Sequence, residues 1–108
     1  MARKLNLVID QGTTFSTTFT ANDVSNLPID FTGYTSNSMF RKSYTSSNAY
    51  AFTVGLSSNG SVTLSMNAAT TGTVTAGRYV YDVEVESSSN VRSRIVEGII
   101  TVTPQVTR

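Results

Sequence analysis

Between Arg78 and Glu86 the chain alternates without a break, with Tyr79, Tyr81, Val83 and Val85 on one parity and Arg78, Val80, Asp82, Glu84 and Glu86 on the other. Side chains that repeat with period two point to opposite faces of an extended strand, whereas a helix would scatter these apolar positions around its surface. The segment therefore reads as a strand with one buried face. The same pattern recurs along the chain. Leu5, Leu7 and Ile9 alternate with Lys4, Asn6, Val8 and Asp10, and Phe15, Thr17 and Phe19 follow. Tyr34 to Lys42 supplies a third strand. Phe52, Val54 and Leu56 lead through Ser57-Ser58-Asn59-Gly60 into Val62, Leu64 and Met66. In the last strand Val96, Gly98, Ile100 and Val102 point inward and Ile95, Glu97, Ile99 and Thr101 outward. Pro28 confines residues 22–33 to a connection, and Asn67 caps a short helical turn that Gly72 breaks.

Composition supports this reading. Val, Ile and Thr make up 34 of the 108 residues, against only three Glu and two Lys. β-branched side chains are stiff at χ1 and suit a pleated surface better than a helix. Val, Ile, Leu and Phe account for 27 residues, and a net charge of +1 offers little self-repulsion, so the chain can bury a core. With turn signals spaced at roughly eight to twelve residues, the expected fold is an immunoglobulin-like, all-antiparallel β-sandwich of about seven strands. It forms a single domain over residues 1–108, with 1–4 and 105–108 expected as docking arms.

The chain has no His, Cys or Trp. It therefore lacks a thiolate or imidazole nucleophile, a base that titrates near neutrality unperturbed, a nitrogen or sulfur zinc site, and any disulfide. No phosphate loop, nucleophile elbow or dinucleotide fingerprint is present. The expectation is a protein that is not an enzyme and takes no cofactor. Asn6 and Asp10 interrupt any signal-peptide core, and no apolar run approaches the 18 to 20 residues of a membrane span. Eight basic residues against seven acidic ones leave no broad basic field for nucleic acid.

Four groups of residues invite a functional reading. Asp82, Glu84 and Glu86 put three carboxylates on one strand face, ~7 Å apart, where a flat face without a wrapping loop makes a poor cation cage. Arg41 and Lys42 stand near Phe40, Tyr44 and Tyr50, and are better explained as charges that blunt a strand edge than as a phosphate site. Tyr79, which follows a helical turn and Gly77, occupies the place of a tyrosine corner whose hydroxyl satisfies an upstream backbone group. Ile95 and Ile99 face outward beside Val80 and Val91. Exposed β-branched residues on a sheet face are costly unless something covers them, so either the other strand phase or a covering N-terminal segment buries them, or they contact another protein. Val80, Ile95 and Ile99 are thus the candidate interface.

Three sets of residues give the chain a resemblance to known proteins. They are Gln11-Gly12-Thr13-Thr14-Phe15, then Pro28-Ile29-Asp30-Phe31-Thr32-Gly33-Tyr34 with Phe40-Arg41-Lys42, and finally Val62-Thr63-Leu64-Ser65-Met66 with Ala76 to Val85, Glu97-Gly98 and Thr101-Val102-Thr103-Pro104. Together they resemble small virion proteins of tailed bacteriophages. They are also similar to the N-terminal β-sandwich of phage baseplate upper proteins, where a turn like Asp30-Phe31-Thr32-Gly33 leads into a basic-ended strand. The resemblance implies a structural component of the virion, in the tail or baseplate first and as a capsid decoration protein second. Its partners would be other virion proteins and copies of itself. A different class, a glycan-binding adhesin using Tyr34, Tyr44 and Tyr50 on loops, stands as the alternative, weakened by the absence of Trp.

Overall fold

The computed structural model describes residues 3–22, 25–43 and 45–106. Among them are nine strands: β1 (Arg3–Lys4), β2 (Leu7–Asp10), β3 (Phe15–Thr20), β4 (Thr35–Arg41), β5 (Tyr50–Ala51), β6 (Thr53–Leu56), β7 (Ser61–Met66), β8 (Gly77–Glu86) and β9 (Arg92–Thr103). One helical turn, α1 (Ala68–Thr71), begins at Asn67, whose side chain accepts a hydrogen bond from the Thr70 N–H at 2.8 Å. The strands form two sheets. The larger runs β1–β9–β8–β4–β5, with β2 also on β9, and the smaller runs β3–β7–β6. The inward parity read from the sequence fills the space between them, with Ile9, Phe40, Val62, Leu64, Val83, Val96 and Ile100 at 0–1% exposure. The chain is all-β, in two sheets about a shared core.

The expected all-antiparallel arrangement is corrected at the N-terminus. β1 and β2 pair in parallel with β9, from Arg3 opposite Val96 to Asp10 opposite Thr103. Only four residues separate β2 from β3, and Gly12 sits there at φ +82. That connection carries the chain from the larger sheet to the smaller one instead of folding it back as a hairpin. Alternation reports which face a side chain takes and is silent on the direction of its neighbour.

The count of about seven strands is corrected at two interruptions. The first strand breaks at Leu5–Asn6, where the Asn6 Oδ1 accepts from the Ile99 N–H at 3.1 Å in place of a backbone carbonyl. Tyr81 donates its hydroxyl to the Leu5 carbonyl at 2.6 Å, and a Cβ on Gly98 would lie only 2.2 Å from that same oxygen. The fourth strand, expected from Phe52, is preceded by the separate two-residue β5, and the chain changes sheets at Phe52. Its N–H donates to the Ser38 carbonyl at 3.0 Å in the larger sheet, and the residues that follow pair with β7 in the smaller one. The buried Phe52 ring meets Phe15, Phe40 and Tyr81 at 5.7, 5.1 and 6.4 Å between centroids, so the crossing is held by aromatic packing.

A third correction concerns the last strand. Val83 pairs with Val96 and Glu84 with Arg94, leaving Ile95 as the extra residue of a β-bulge. The bulge puts Ile95 and Val96 on the same side, so Ile95 packs against the core instead of facing outward.

Candidate functional site

The outer face of the larger sheet gathers the residues singled out from the sequence. Val80 and Ile99 stand directly opposite each other in the β8–β9 ladder, and Ile99 is 41% exposed. Val8, 59% exposed, lies opposite Thr101 on β2, one diagonal step from Ile99. These three form a small apolar patch on the outer face. Val91 also is exposed, yet it belongs to the turn at the far end of β9. Val8 was readable on the outward parity of the first strand but carried no weight there; the parallel pairing that brings it beside Ile99 was needed to notice it.

Beside the patch lies a groove of about 410 Å³ lined by Asn37, Met39, Arg41, Asp82, Glu84, Arg94 and Glu97 among others. Its charges are cross-paired. Arg94 Nε meets Asp82 Oδ2 at 3.2 Å and Arg94 Nη1 lies 4.0 Å from Glu97 Oε2, while Lys4 Nζ reaches Glu97 Oε1 at 3.2 Å. Burial raises the Asp82 carboxyl above its ordinary value; Arg94 and Arg41 pull it down and Glu84 and Glu97 push it up. Arg94 reaches this row because the Ile95 bulge resets the parity of β9, which sequence alternation alone missed. Glu86 pairs with Arg92 at 3.6 Å. Asp82 and Glu86 are thus held in separate ion pairs with Glu84 between them in the row, opposite Arg94 in the ladder, and no group of three metal-ligating side chains is gathered among the described residues.

The other candidates take places within the fold. Tyr79 is buried and donates its hydroxyl to the Thr75 carbonyl at 2.5 Å, four residues upstream; burial and the neighbouring Tyr50 raise its pKa. Arg41 donates to the Ser46 carbonyl at 2.9 Å and so ties down the loop before β5, and Lys42 Nζ stands 4.7 Å above the Tyr79 ring. Tyr34 packs edge-on against Phe31 at 5.3 Å and Tyr50 stacks on Phe40 at 5.2 Å, so both rings are engaged internally. Tyr44 lies outside the described residues, as do Met1, Ala2, Thr107 and Arg108 of the expected docking arms. Arg3 and Lys4 of the first arm are held as β1. Gln105 of the second is held by its N–H, which donates to Gln11 Oε1 at 2.9 Å.

Gln11, the first residue of the Gln-Gly-Thr-Thr motif, is the centre of a clasp. Its Nε2 donates to the Val74 carbonyl at 2.8 Å. Gly12 N–H donates to the fully buried Thr71 hydroxyl at 3.1 Å, and that hydroxyl donates to the Thr13 carbonyl at 2.7 Å. The Gln-Gly-Thr-Thr run therefore locks the crossing between the sheets to α1 and to the C-terminal segment. Asp30 plays a similar local part. Its carboxylate accepts from the Thr32 hydroxyl at 2.6 Å and the Thr32 N–H at 3.0 Å, which lowers its pKa and shapes the turn before β4.

No protein-family profile and no curated protein sequence matches the chain. Among solved structures it is similar to the Listeria monocytogenes internalin-like protein lmo2027, at 13% identity and a TM-score of 0.49. That likeness covers 94% of this chain and 28% of the other. No helix among the described residues is long and apolar enough to cross a membrane.

Proposed function

We propose that this chain is a non-enzymatic, immunoglobulin-like β-sandwich that works by packing against other proteins, in the virion of a tailed bacteriophage. The strand order supports the finer fold reading: β3–β7–β6 faces β1/β2–β9–β8–β4–β5, and the first strand runs parallel to the last. The Tyr79–Thr75 bond at the entry to β8 is the kind of corner such sandwiches use. The sequence resemblance supports the virion setting, the tail or baseplate first and capsid decoration second. Catalysis and a cofactor play no part in this reading.

One observation carries the mode of action. Val8, Val80 and Ile99 form an apolar patch on a sheet face whose other outward positions are mostly charged or polar, beside a groove of alternating charge. Apolar side chains flanked by paired charges bring together the two parts of a protein contact, an apolar centre and a polar margin. The double variant V80K/I99K tests it. Both positions are outward, so the substitutions leave the core side chains in place, and the variant is expected to be lost from purified particles when it replaces the wild-type protein in a phage that carries it. Incorporation at the wild-type level would remove this face from the contact. Localisation by labelled antibody on particles then separates tail from capsid.

A further inference from the structure

Among the described residues four strand edges close the two sheets, and three are short, charged or interrupted. On the larger sheet, β1 and β2 carry Arg3, Lys4 and Asp10 and are broken at Leu5–Asn6, while β5, two residues long, and the Phe52 N–H bond to the Ser38 carbonyl leave open a run of three residues of β4, Thr35 to Asn37. On the smaller sheet β6 is four residues, with Gly55 inside it and the sheet crossing at Phe52 just before it. Short, charged or interrupted edges resist pairing with another chain. The fourth edge has none of these devices. β3 runs six residues, Phe-Ser-Thr-Thr-Phe-Thr, in unbroken register with β7, and no charged residue or proline occurs from Gln11 to Asn22. No strand pairs with its outer side among the described residues. The edge is open because the preceding strand crosses to β9.

The direction of its free groups follows from the ladder. Ala21 N–H donates to the Gly60 carbonyl at 2.8 Å, continuing the β3–β7 register, so odd-numbered residues spend their backbone groups on β7. Ser16, Thr18 and Thr20 then aim theirs at the free edge, since backbone bonding alternates along an antiparallel strand. We propose that a second copy of this chain adds to this edge, antiparallel and about a twofold axis through Thr17, so that two three-stranded sheets become one of six. In that register Ser16 faces Thr18 of the other copy in a hydrogen-bonded pair. Phe15 faces the other Phe19 in a non-hydrogen-bonded pair, where side chains approach closely. Like meets like on both faces, which is what an isologous contact requires and an arbitrary foreign strand does not supply. The proposal rests on the packing role proposed above and names a second copy of this chain as one of the partners. It concerns the opposite sheet from Val80 and Ile99, so either can fail without the other.

Because the chain has no cysteine, cross-linking gives a clean test. Thr17→Cys on the axis places two thiols in a non-hydrogen-bonded pair, whose Cα separation of about 4.5 Å lies within disulfide reach. Thr20→Cys places them about 20 Å apart. Mild oxidation is expected to link T17C and to leave T20C single. Sedimentation of the wild type is expected to give twice the 11.6 kDa chain mass. S16K/T18K, which sets lysine against lysine, is expected at the single mass, and S16K/T18E, which sets lysine against glutamate, at the double mass. A wild type that stays at the single mass at the highest attainable concentration overturns the proposal. So does equal linking of T17C and T20C, or a double mass for S16K/T18K. Should a charged variant fail to fold, the two cysteine variants decide alone.

Discussion

On the outer face of the larger sheet stand Lys4, Arg41, Asp82, Glu84, Glu86, Arg92, Arg94 and Glu97; on the outer face of the smaller one stand Ser16, Thr18, Thr20, Thr53, Ser61, Thr63 and Ser65, with no charge among them. The contrast has a sequence basis, since no charged residue occurs from Gln11 to Asn22 or from Ser43 to Gly77, the two stretches that hold β3, β6 and β7. Both sheets bury an apolar inner side, so the inner faces make the fold while the outer faces differ in what they can meet. The charged face holds Lys4, Asp82, Glu86, Arg92, Arg94 and Glu97 in ion pairs beside a small apolar patch. The hydroxyl face is a smooth surface of short side chains beside an open edge. The first suits a contact that reads charge pattern, and the second suits backbone pairing with little steric obstruction.

Glycine separates the two sheets most sharply. Both Gly98 on β9 and Gly55 on β6 lie inside strands, yet their surroundings differ. A Cβ at Gly98 would meet the Leu5 carbonyl oxygen at 2.2 Å and its carbon at 2.8 Å, both backbone atoms that cannot swing away. A Cβ at Gly55 would meet only the Thr63 Cβ, at 3.8 Å, an ordinary contact. Gly98→Ala is therefore expected to lose about 3 kcal/mol in urea unfolding, as overpacking against fixed atoms forces the first strand away. Gly55→Ala is expected to gain roughly 0.5 kcal/mol, because alanine loses less chain entropy on folding. Equal effects at the two sites would mean that the first strand does not lie as tightly on β9 as these contacts require.

The same Gly98 shows what the sequence could and could not convey. Its inward parity between Val96 and Ile100 was legible, as were the buried faces of β7 and β8, because period two depends only on burial of one face. Its reason was hidden, since it comes from Leu5, more than ninety residues away in the chain and parallel to it. Ile95 failed for a related cause. One unpaired residue shifts parity, and no local pattern marked the bulge that turned this side chain inward and sent Arg94 out. Tyr79, in contrast, was legible because its partner Thr75 is only four residues upstream. The candidate interface could be read only in part: Val80 and Ile99 follow from alternation, whereas Val8 joins them through a strand pairing that composition does not encode.

Acid titration sharpens the contrast of outer faces, because the charged sheet has a pH response that the hydroxyl sheet lacks. The folded-state pKa of Asp82 is raised, chiefly by burial, so the folded protein holds this proton to higher pH than the unfolded chain does. The stability it contributes is full below the unfolded value of 3.8 and is lost as pH rises through the raised folded value. Asp82→Asn removes that dependence. The variant is expected to match the wild type near pH 3 and to exceed it at pH 7, by less than about 1 kcal/mol given solvent screening at this partly exposed site. A variant less stable than the wild type at pH 7 would show that the Arg94 pair outweighs the burial cost.

The smallest effect is expected on the other face. The Thr18 and Thr63 hydroxyls lie 3.0 Å apart across the β3–β7 ladder, on the exposed outer side. A hydrogen bond open to water is readily replaced by bonds to solvent, and neither oxygen would be left buried without a partner if the other were removed. Valine matches threonine in shape and in preference for strands. T18V/T63V is therefore expected to unfold within about 0.5 kcal/mol of the wild type, the range of surface changes that touch no buried feature. A loss well beyond that range would mean that the hydroxyl row holds the smaller sheet together through its outer face. The two sheets would then differ in which groups stabilise them as well as in which groups they display, and the open edge of β3 would have to be read as part of a hydroxyl network in place of a bare backbone.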